Sequence, residues 1–395
     1  MNASEKPIIL AFIGNYLPGY KAGGILRVTV NTVDYLCDDF EFRIVTRDRD
    51  LGDEQPYPDI QLNQWQPIGN AMVYYLPPQS ERARDILRLI TDTPHHILYL
   101  NSFFDPFTVK VLLNRKFHGK MFKPVVVAPW GEFSWANLNQ KYLKKLVFIQ
   151  AARLFGLYKN VTWRASSEFE RLDIMKGMKI TSNTIQIADD FPLKNIPDIA
   201  PDLNFKSSTD REGFRVVFFA RISREKNLDY ALKVLKKVKA RVTFDIYGTT
   251  ENEEYWRECQ ELIDQLPPNI TVKFLGSVRP TNGGIVHIFS KYDLFLYPTG
   301  GDAYAHVIAE CLISGTPVLV STETPWRNLE AEGLGWDVDL ARMDSFVKII
   351  ERLAVSSDDE LVQMRATVRA NIVKRLSNPH VLETNRQLFK GQLVR

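Results

Sequence analysis

The sequence predicts an α/β fold built as two domains, each a parallel sheet flanked by helices. Three observations predict it. Short apolar runs alternate with helical patterns through the first half, a proline-rich polar stretch interrupts them, and the same alternation restarts afterwards. A length of 395 residues is long for one domain and comfortable for two.

The elements follow in order. PIILAFIG, FEFRIVT, HHILYLNS and PVVVAPWG are short runs with β-branched or aromatic content, each ending in a turn or polar loop. ILRVTVNTVDYL and FTVKVLLNRK between them read as helices. The apolar start of the chain is short and broken by Gly14 and Asn15, so it reads as a first buried strand and not a signal peptide. Pro192, Pro197 and Pro201 lie in a polar stretch without periodicity, the expected linker. Then FRVVFFA, RVTFDIYG, ITVKFLG and DLFLYP read as strands and LDYALKVLKKV as a helix; after PVLVS the chain reads as helical and charged to its end. The expected division is 1–195, a linker at 196–212, 213–375, and a C-terminal helix over 376–395 returning to the first domain. Two such sheets create a cleft at their carboxyl ends, where ligands bind in open α/β folds.

Composition limits the function. There are 50 basic and 47 acidic residues, too near balance to argue for nucleic acid. No apolar run approaches the roughly 18 residues of a membrane span, so a soluble or peripheral protein is expected. Cys37, Cys259 and Cys311 fit neither a metal site nor a disulfide framework; Cys37 and Cys311 sit in apolar helical patterns and are expected to be buried thiols in a reducing compartment. The six histidines show no metal-ligand spacing.

The strongest motif is DLFLYPTGGDAYAHVIAECLISGTPVLVS, residues 293–321. It reads as strand, glycine loop (Gly300, Gly301), helix from about Tyr304 to Ser314, and strand, with Gly315 and Pro317 ending the helix. A helix N-terminus at the carboxyl edge of a sheet favours a phosphate. Asp302 precedes the helix and Glu310 interrupts its apolar face. A buried carboxylate needs partners, and a ribose diol is one; an N-cap Asp and a surface Glu is the plainer reading. FFARISREKNLDYALKVL carries Arg221, Arg224 and Lys226 into a helix; two fixed cations there suit a diphosphate, or form a solvated basic loop. Gly23 and Gly24 sit between the first strand and a helix, where backbone can approach a ligand closely. Trp130, Gly131 and Glu132 follow the strand VVVAP, and Asn101 follows another; these are cleft-edge candidates, with Glu132 also readable as a helix-entry residue.

A carboxylate, seven residues, Glu, then a small residue–Gly–x–Pro–Val resembles the signature of retaining glycosyltransferases of family 4, on the GT-B fold. TGGDAYAHVIAE and ISGTPVLVSTETPWRNL look like its bacterial exopolysaccharide and lipopolysaccharide branch. The resemblance implies two Rossmann-like domains with parallel sheets facing across a cleft, and transfer of a sugar from a nucleoside-diphosphate donor to a saccharide or lipid-linked acceptor. It implies Asp302 on the donor sugar, Glu310 on the ribose, and Arg221 and Lys226 on the leaving diphosphate. It further implies Gly23 and Gly24 facing the phosphates and the backbone of Ser277 and Val278 pairing with the base. Gly301, Ala303, Tyr304, Ala305 and His306 line the donor loop, with Asn101, Trp130 and Gly131 on the acceptor side. Glu132 stands where relatives often carry His. No catalytic metal or other cofactor is expected. Two departures bear on sugar preference and turnover: Asp302 replaces the usual Glu, and Ala303-Tyr304-Ala305 replaces Gly-Phe-Gly. A non-catalytic nucleotide-sugar-binding subunit and a sugar-nucleotide epimerase share the architecture. Residues 138–158 combine Lys141, Lys144, Lys145 and Arg153 with many apolar residues; a core helix with a basic face and a helix lying on an anionic lipid interface both fit. The expected location is cytoplasmic, with peripheral contact at the inner face of the membrane.

Overall fold

Runs of consecutive buried apolar residues pair into two sheets in the computed structural model, which describes residues 6–119, 122–139, 142–192, 194, 213–250, 252–278, 284–302 and 304–394. The linker expected at 196–212, Ala303 and Lys141 lie outside the described residues. The chain forms two compact units, Met1–Lys194 with Pro379–Arg395, and Asn195–Asn378.

The first unit holds strands β1 (Ile8–Phe12), β2 (Glu41–Arg47), β3 (Trp65–Ile68), β4 (Ala71–Leu76), β5 (Ile97–Asn101), β6 (Val125–Ala128), β7 (Thr162–Ala165) and β8 (Ile185–Ile187). Its sheet runs β3-β4-β2-β1-β5-β6-β7-β8. Every pairing is parallel except β3 with β4. All of β5 is buried because helices cover both faces of a parallel sheet. The β3–β4 hairpin was not expected. Gly69 (φ 58°) and Asn70 make its two-residue turn, a pairing that marks tight hairpins.

The second unit holds β9 (Phe214–Phe219), β10 (Val242–Tyr247), β11 (Ile270–Gly276), β12 (Leu294–Tyr297), β13 (Val318–Ser321) and β14 (Gly335–Val338), in the order β11-β10-β9-β12-β13-β14. All five pairings are parallel. Strand β14 corrects the expectation of helix alone after residue 321. Gly-Trp-Asp-Val is too short and polar to announce a strand, and pairing with β13 creates it.

The helices are α1 (Gly24–Leu36), α2 (Ala83–Asp92), α3 (Pro106–His118), α4 (Trp135–Asn139), α5 (Tyr142–Leu154) and α6 (Glu168–Met178) in the first unit. In the second they are α7 (Leu228–Leu235), α8 (Glu253–Asp264), α9 (Gly284–Phe289), α10 (His306–Ile313), α11 (Met343–Ala354) and α12 (Asp358–Leu376). The last helix, α13 (Pro379–Leu393), belongs to the first unit. Phe389 sets its ring edge-on to Phe40 at 5.7 Å and Tyr99 at 5.2 Å, and Arg386 pairs with Asp39 at 2.6 Å. Aromatic burial of this kind holds a terminal helix that would otherwise fray.

Two further expectations are adjusted. Of the pattern over 138–158, the described helical residues are 138–139 in α4 and 142–154 in α5. The helix expected from about Tyr304 starts at His306, because Ala305 is left-handed. Cys37 is only partly buried, whereas Cys259 and Cys311 are buried. No helix among the described residues is long and apolar enough to cross a membrane.

Candidate active site

In the second unit two loops at the carboxyl ends of β9 and β12 are bound to each other. The Glu225 carbonyl accepts the Gly300 N–H at 2.7 Å and the Thr299 hydroxyl at 2.9 Å. Asn227, left-handed at φ 53°, donates its side-chain amide to the Pro298 carbonyl at 3.0 Å. This cross-bracing fixes the single 3-10 turn Arg224–Lys226 beside the glycine loop.

Lys226 and Asp302 meet across that brace. Lys226 Nζ donates to Asp302 Oδ2 at 2.7 Å, with the side chains 12% and 21% exposed. Tyr297, at the end of β12, donates its hydroxyl to the same oxygen at 2.8 Å, and Oδ1 accepts the Ala305 N–H at 2.8 Å. Burial alone would raise the Asp302 pKa; the Lys226 ammonium and three hydrogen bonds outweigh it and hold the carboxyl below its ordinary value. Burial alone would lower Lys226, and the facing carboxylate holds it above its ordinary value instead. Both groups are therefore charged across the neutral range. Asp302 is not the N-cap of α10: Ala305 holds that position with no side-chain cap, and Asp302 accepts the N–H of Ala305 itself, so the plainer N-cap reading is set aside.

Ala305 caps α10 with φ 59° and ψ 63°. A left-handed alanine costs roughly 1–2 kcal/mol, the conformation for which glycine is the usual residue. The Asp302 bond to its N–H holds it there. Gly315, at the other end of α10, takes φ 86° and closes the helix as the sequence pattern requires. Glu310 is buried on α10 among Ile308, Ala309, Cys311 and Leu312. His306 opens the helix with its ring 4.5 Å from that of Tyr304, whose carbonyl accepts the Trp326 indole N–H at 2.5 Å. Gly301 donates its N–H to the Thr299 hydroxyl at 3.2 Å. Arg221 is exposed, 3.7 Å from the Glu225 carboxylate, while Arg224 forms a two-pronged pair with Glu258 on α8 at 2.6 and 2.9 Å. Ser277 and Val278 follow β11, exposed and partly buried respectively. No group of three or more His, Cys, Asp or Glu that could hold a metal occurs among the described residues.

Sequence reasoning missed Tyr297, because a tyrosine in an apolar strand reads as core. It is core, with its hydroxyl at the sheet edge. Tyr297→Phe is expected to destabilise the protein by roughly 1–2 kcal/mol, the cost of removing a hydrogen bond to a buried charge. Urea unfolding checks this, and an unchanged midpoint would mean the bond contributes nothing.

The remaining candidates lie in the first unit. Gly23 takes φ 66°, and both Gly23 and Gly24 are exposed at the N-terminus of α1, which has no side-chain cap. The loop leading there is anchored by Asp50, which accepts the N–H groups of Tyr20 (2.8 Å) and Lys21 (3.1 Å). Asn101 is buried at the end of β5; its side-chain oxygen accepts the Trp130 indole N–H at 3.2 Å. Trp130 and Gly131 are both left-handed, at φ 53° and 74°. Two further groups hold this strained turn. Arg164, paired with Asp190 at 2.9 Å, places its guanidinium 4.4 Å from the Trp130 ring. Glu170 accepts the Gly131 N–H at 2.5 Å and the Ser166 hydroxyl at 2.7 Å. Arg164 and Glu170 were invisible in the sequence because their partners are distant along the chain.

Glu132 accepts from the Ser102 hydroxyl at 2.6 Å and from the Phe103 N–H. Its carboxylate thus ties the turn after β6 to the turn after β5. Burial pushes its pKa up to about 7 from an ordinary 4.5, against the opposing hydrogen bonds of Ser102 and Phe103. A raised carboxyl pKa means the folded state binds the proton more tightly. Stability is therefore lost as pH rises from the ordinary value of 4.5 to about 7. Glu132→Gln is expected to flatten this part of the pH profile. Thermal unfolding of both proteins between these limits measures it, and parallel profiles would contradict the shift.

Comparisons with known proteins agree on the kind of protein. Residues 200–371 match the family described as Glycosyl transferases group 1. The chain is 21% identical over 273 residues to an uncharacterized 41.2 kDa protein in the cps region of Klebsiella pneumoniae, covering 67% of this chain and 71% of the relative. Among solved structures, Anabaena HepE in complex with UDP and glucose superposes with a TM-score of 0.70 at 15% identity, over 98% of this chain and 100% of that one. WaaG, a glycosyltransferase involved in lipopolysaccharide biosynthesis, superposes at 0.66 with 11% identity, over 98% and 99%. Likeness at such identity shows the fold, which is GT-B.

Proposed function

We propose that this chain, a glycosyltransferase of the GT-B fold, moves a sugar from a nucleoside-diphosphate donor with retention of anomeric configuration. Its acceptor is a saccharide or lipid-linked saccharide in cell-surface polysaccharide synthesis, met at the cytoplasmic face of the membrane. The observation that carries the reading is the 2.7 Å Lys226–Asp302 pair on the braced loops before α10. It sets a fixed cation and a fixed carboxylate beside a helix N-terminus, and Arg221 adds a second cation on the same loop after β9.

The chemistry follows from those charges. The bond between the sugar's anomeric carbon and the diphosphate breaks, and the leaving group gathers negative charge. Lys226, Arg221 and the first N–H groups of α10 stabilise that charge without reorganising. The acceptor hydroxyl attacks from the same face, and its proton passes to the departing phosphate oxygen. No protein nucleophile enters, and the two cations serve where a metal otherwise would. Glu310 accepts from the ribose diol, and Asp302 addresses the sugar. The Anabaena protein's complex with UDP and glucose supports a uridine donor, and the Klebsiella relative's place in the cps region supports a polysaccharide role.

The test is a panel of UDP- and GDP-sugars, read first by thermal shift and then by NMR of products. A melting shift with one donor, slow hydrolysis without acceptor, and a product of unchanged anomeric configuration are expected. An inverted product would overturn retention. Binding without hydrolysis or transfer would assign a nucleotide-sugar-binding subunit, and epimerised donor would assign an epimerase.

A further inference from the structure

Residues 106–167 contain eleven lysines and arginines and one carboxylate, Glu132, in a chain of formal net charge +3. Arg164 is consumed by Asp190 and Lys110 lies 3.5 Å from Glu81, but Lys116, Lys144 and Lys159 are exposed. Within this segment α5 is amphipathic in the wrong sense for a solvent-facing helix. It buries only Ile149 and Ala152 among its described residues. Its outward stripe at i, i+4 and i+11 is Leu143, Val147 and Leu154, exposed by 74%, 68% and 84%. Phe155 (65%) and Phe117 (75%) extend the stripe at one end, where the Lys116 ammonium donates to the Phe155 carbonyl and joins α3 to α5. Trp135, 73% exposed, extends it at the other, its ring 6.5 Å from Tyr142.

Single exposed apolar residues are ordinary; a contiguous set rimmed by cations marks an interaction surface. Its charge decides the occupant. A symmetric dimer through this face would set lysine against lysine. An anionic bilayer answers both features: the stripe lies along the helix axis, so it enters the interface side-on, while lysines reach the lipid headgroups.

We propose that α5, with the end of α3, is the surface by which this protein lies on an anionic membrane. This rests on the reading that its acceptor is met at a membrane face, and it names the patch that makes the contact. The test uses the full chain, without donor or acceptor, sedimented with vesicles of phosphatidylcholine alone or with about one third phosphatidylglycerol. Binding is expected only to the anionic vesicles, weakening as salt rises, with a blue shift of tryptophan emission. Lys144→Gln with Lys159→Gln should weaken it by roughly tenfold or more, and Val147→Ser with Leu154→Ser should do likewise at unchanged melting temperature. Equal binding to neutral vesicles, no binding, or unaffected variants would overturn the proposal. So would a concentration-dependent dimer abolished by Leu154→Ser, which would give the face to a second copy. The donor-induced melting shift, recorded on the same variants, separates the two ideas. If it persists while vesicle binding is absent, the surface fails and the transferase reading stands; if it is absent while vesicles are bound, the reverse holds.

Discussion

Lys226→Ala is expected to lower turnover by on the order of 100-fold while leaving affinity for the free nucleoside near that of the wild type. The ammonium matters most as the diphosphate departs, and the nucleoside does not carry that charge. Lys226→Arg keeps a cation on the turn and should restore part of the rate, although a forked group does not fit the single-oxygen contact at 2.7 Å. The Ala variant also leaves Asp302 with Tyr297 and the Ala305 N–H as its partners. Asp302, whose folded pKa is lowered, contributes stability that is present above its ordinary 3.8 and lost as pH falls through the folded value. Lys226, whose folded pKa is raised, contributes stability that is present below its ordinary 10.5 and lost as pH rises through the folded value. The stability deficit of Lys226→Ala should accordingly be flat from about pH 5 to about pH 9 and shrink at both extremes. Steady-state kinetics and melting curves measure the two halves. Wild-type turnover in the Ala variant would remove Lys226 from the chemistry.

Glu310→Ala should cost roughly 2–4 kcal/mol of nucleoside diphosphate binding, because the ribose diol loses a charged acceptor held in a buried setting. Glu310→Gln keeps the shape and one acceptor oxygen, and should lie between. Calorimetric titration with the free diphosphate separates this from a stability effect, since the folded fraction is measured independently. Unchanged affinity in the Ala variant would return Glu310 to a packing role on α10.

The difference between these residues and Tyr297, Arg164 or Glu170 lies in how each announces itself. Asp302 and Glu310 stand at a fixed separation inside one strand–loop–helix unit, and Arg221 and Lys226 share one short loop. Local spacing is written in the sequence, so these four stand out there as candidates. Arg164 meets Trp130 from 34 positions away in number but only 4.4 Å in space, and Glu170 reaches back to Gly131. Nothing in the local pattern predicts such meetings. The outward stripe on α5 shows the same limit: its periodicity is plain, but which face the core takes depends on the sheet beneath it.

The sequence by itself determined the alternation of strands and helices, the glycine loop before α10 and the residue types of the loops after β9 and β12. These depend on period, turn chemistry and spacing within a few tens of residues. Tertiary structure alone decided the rest. It made Gly-Trp-Asp-Val a strand by giving it β13 to pair with. It supplied Phe40 and Tyr99 as the rings against which Phe389 seats the returning α13, partners that the sequence expectation of a returning helix did not name. It also turned Glu132 into a tie between two turns with a raised pKa. In each case the determining partner lies outside the local window, and burial or pairing energy overrides what the local residues prefer.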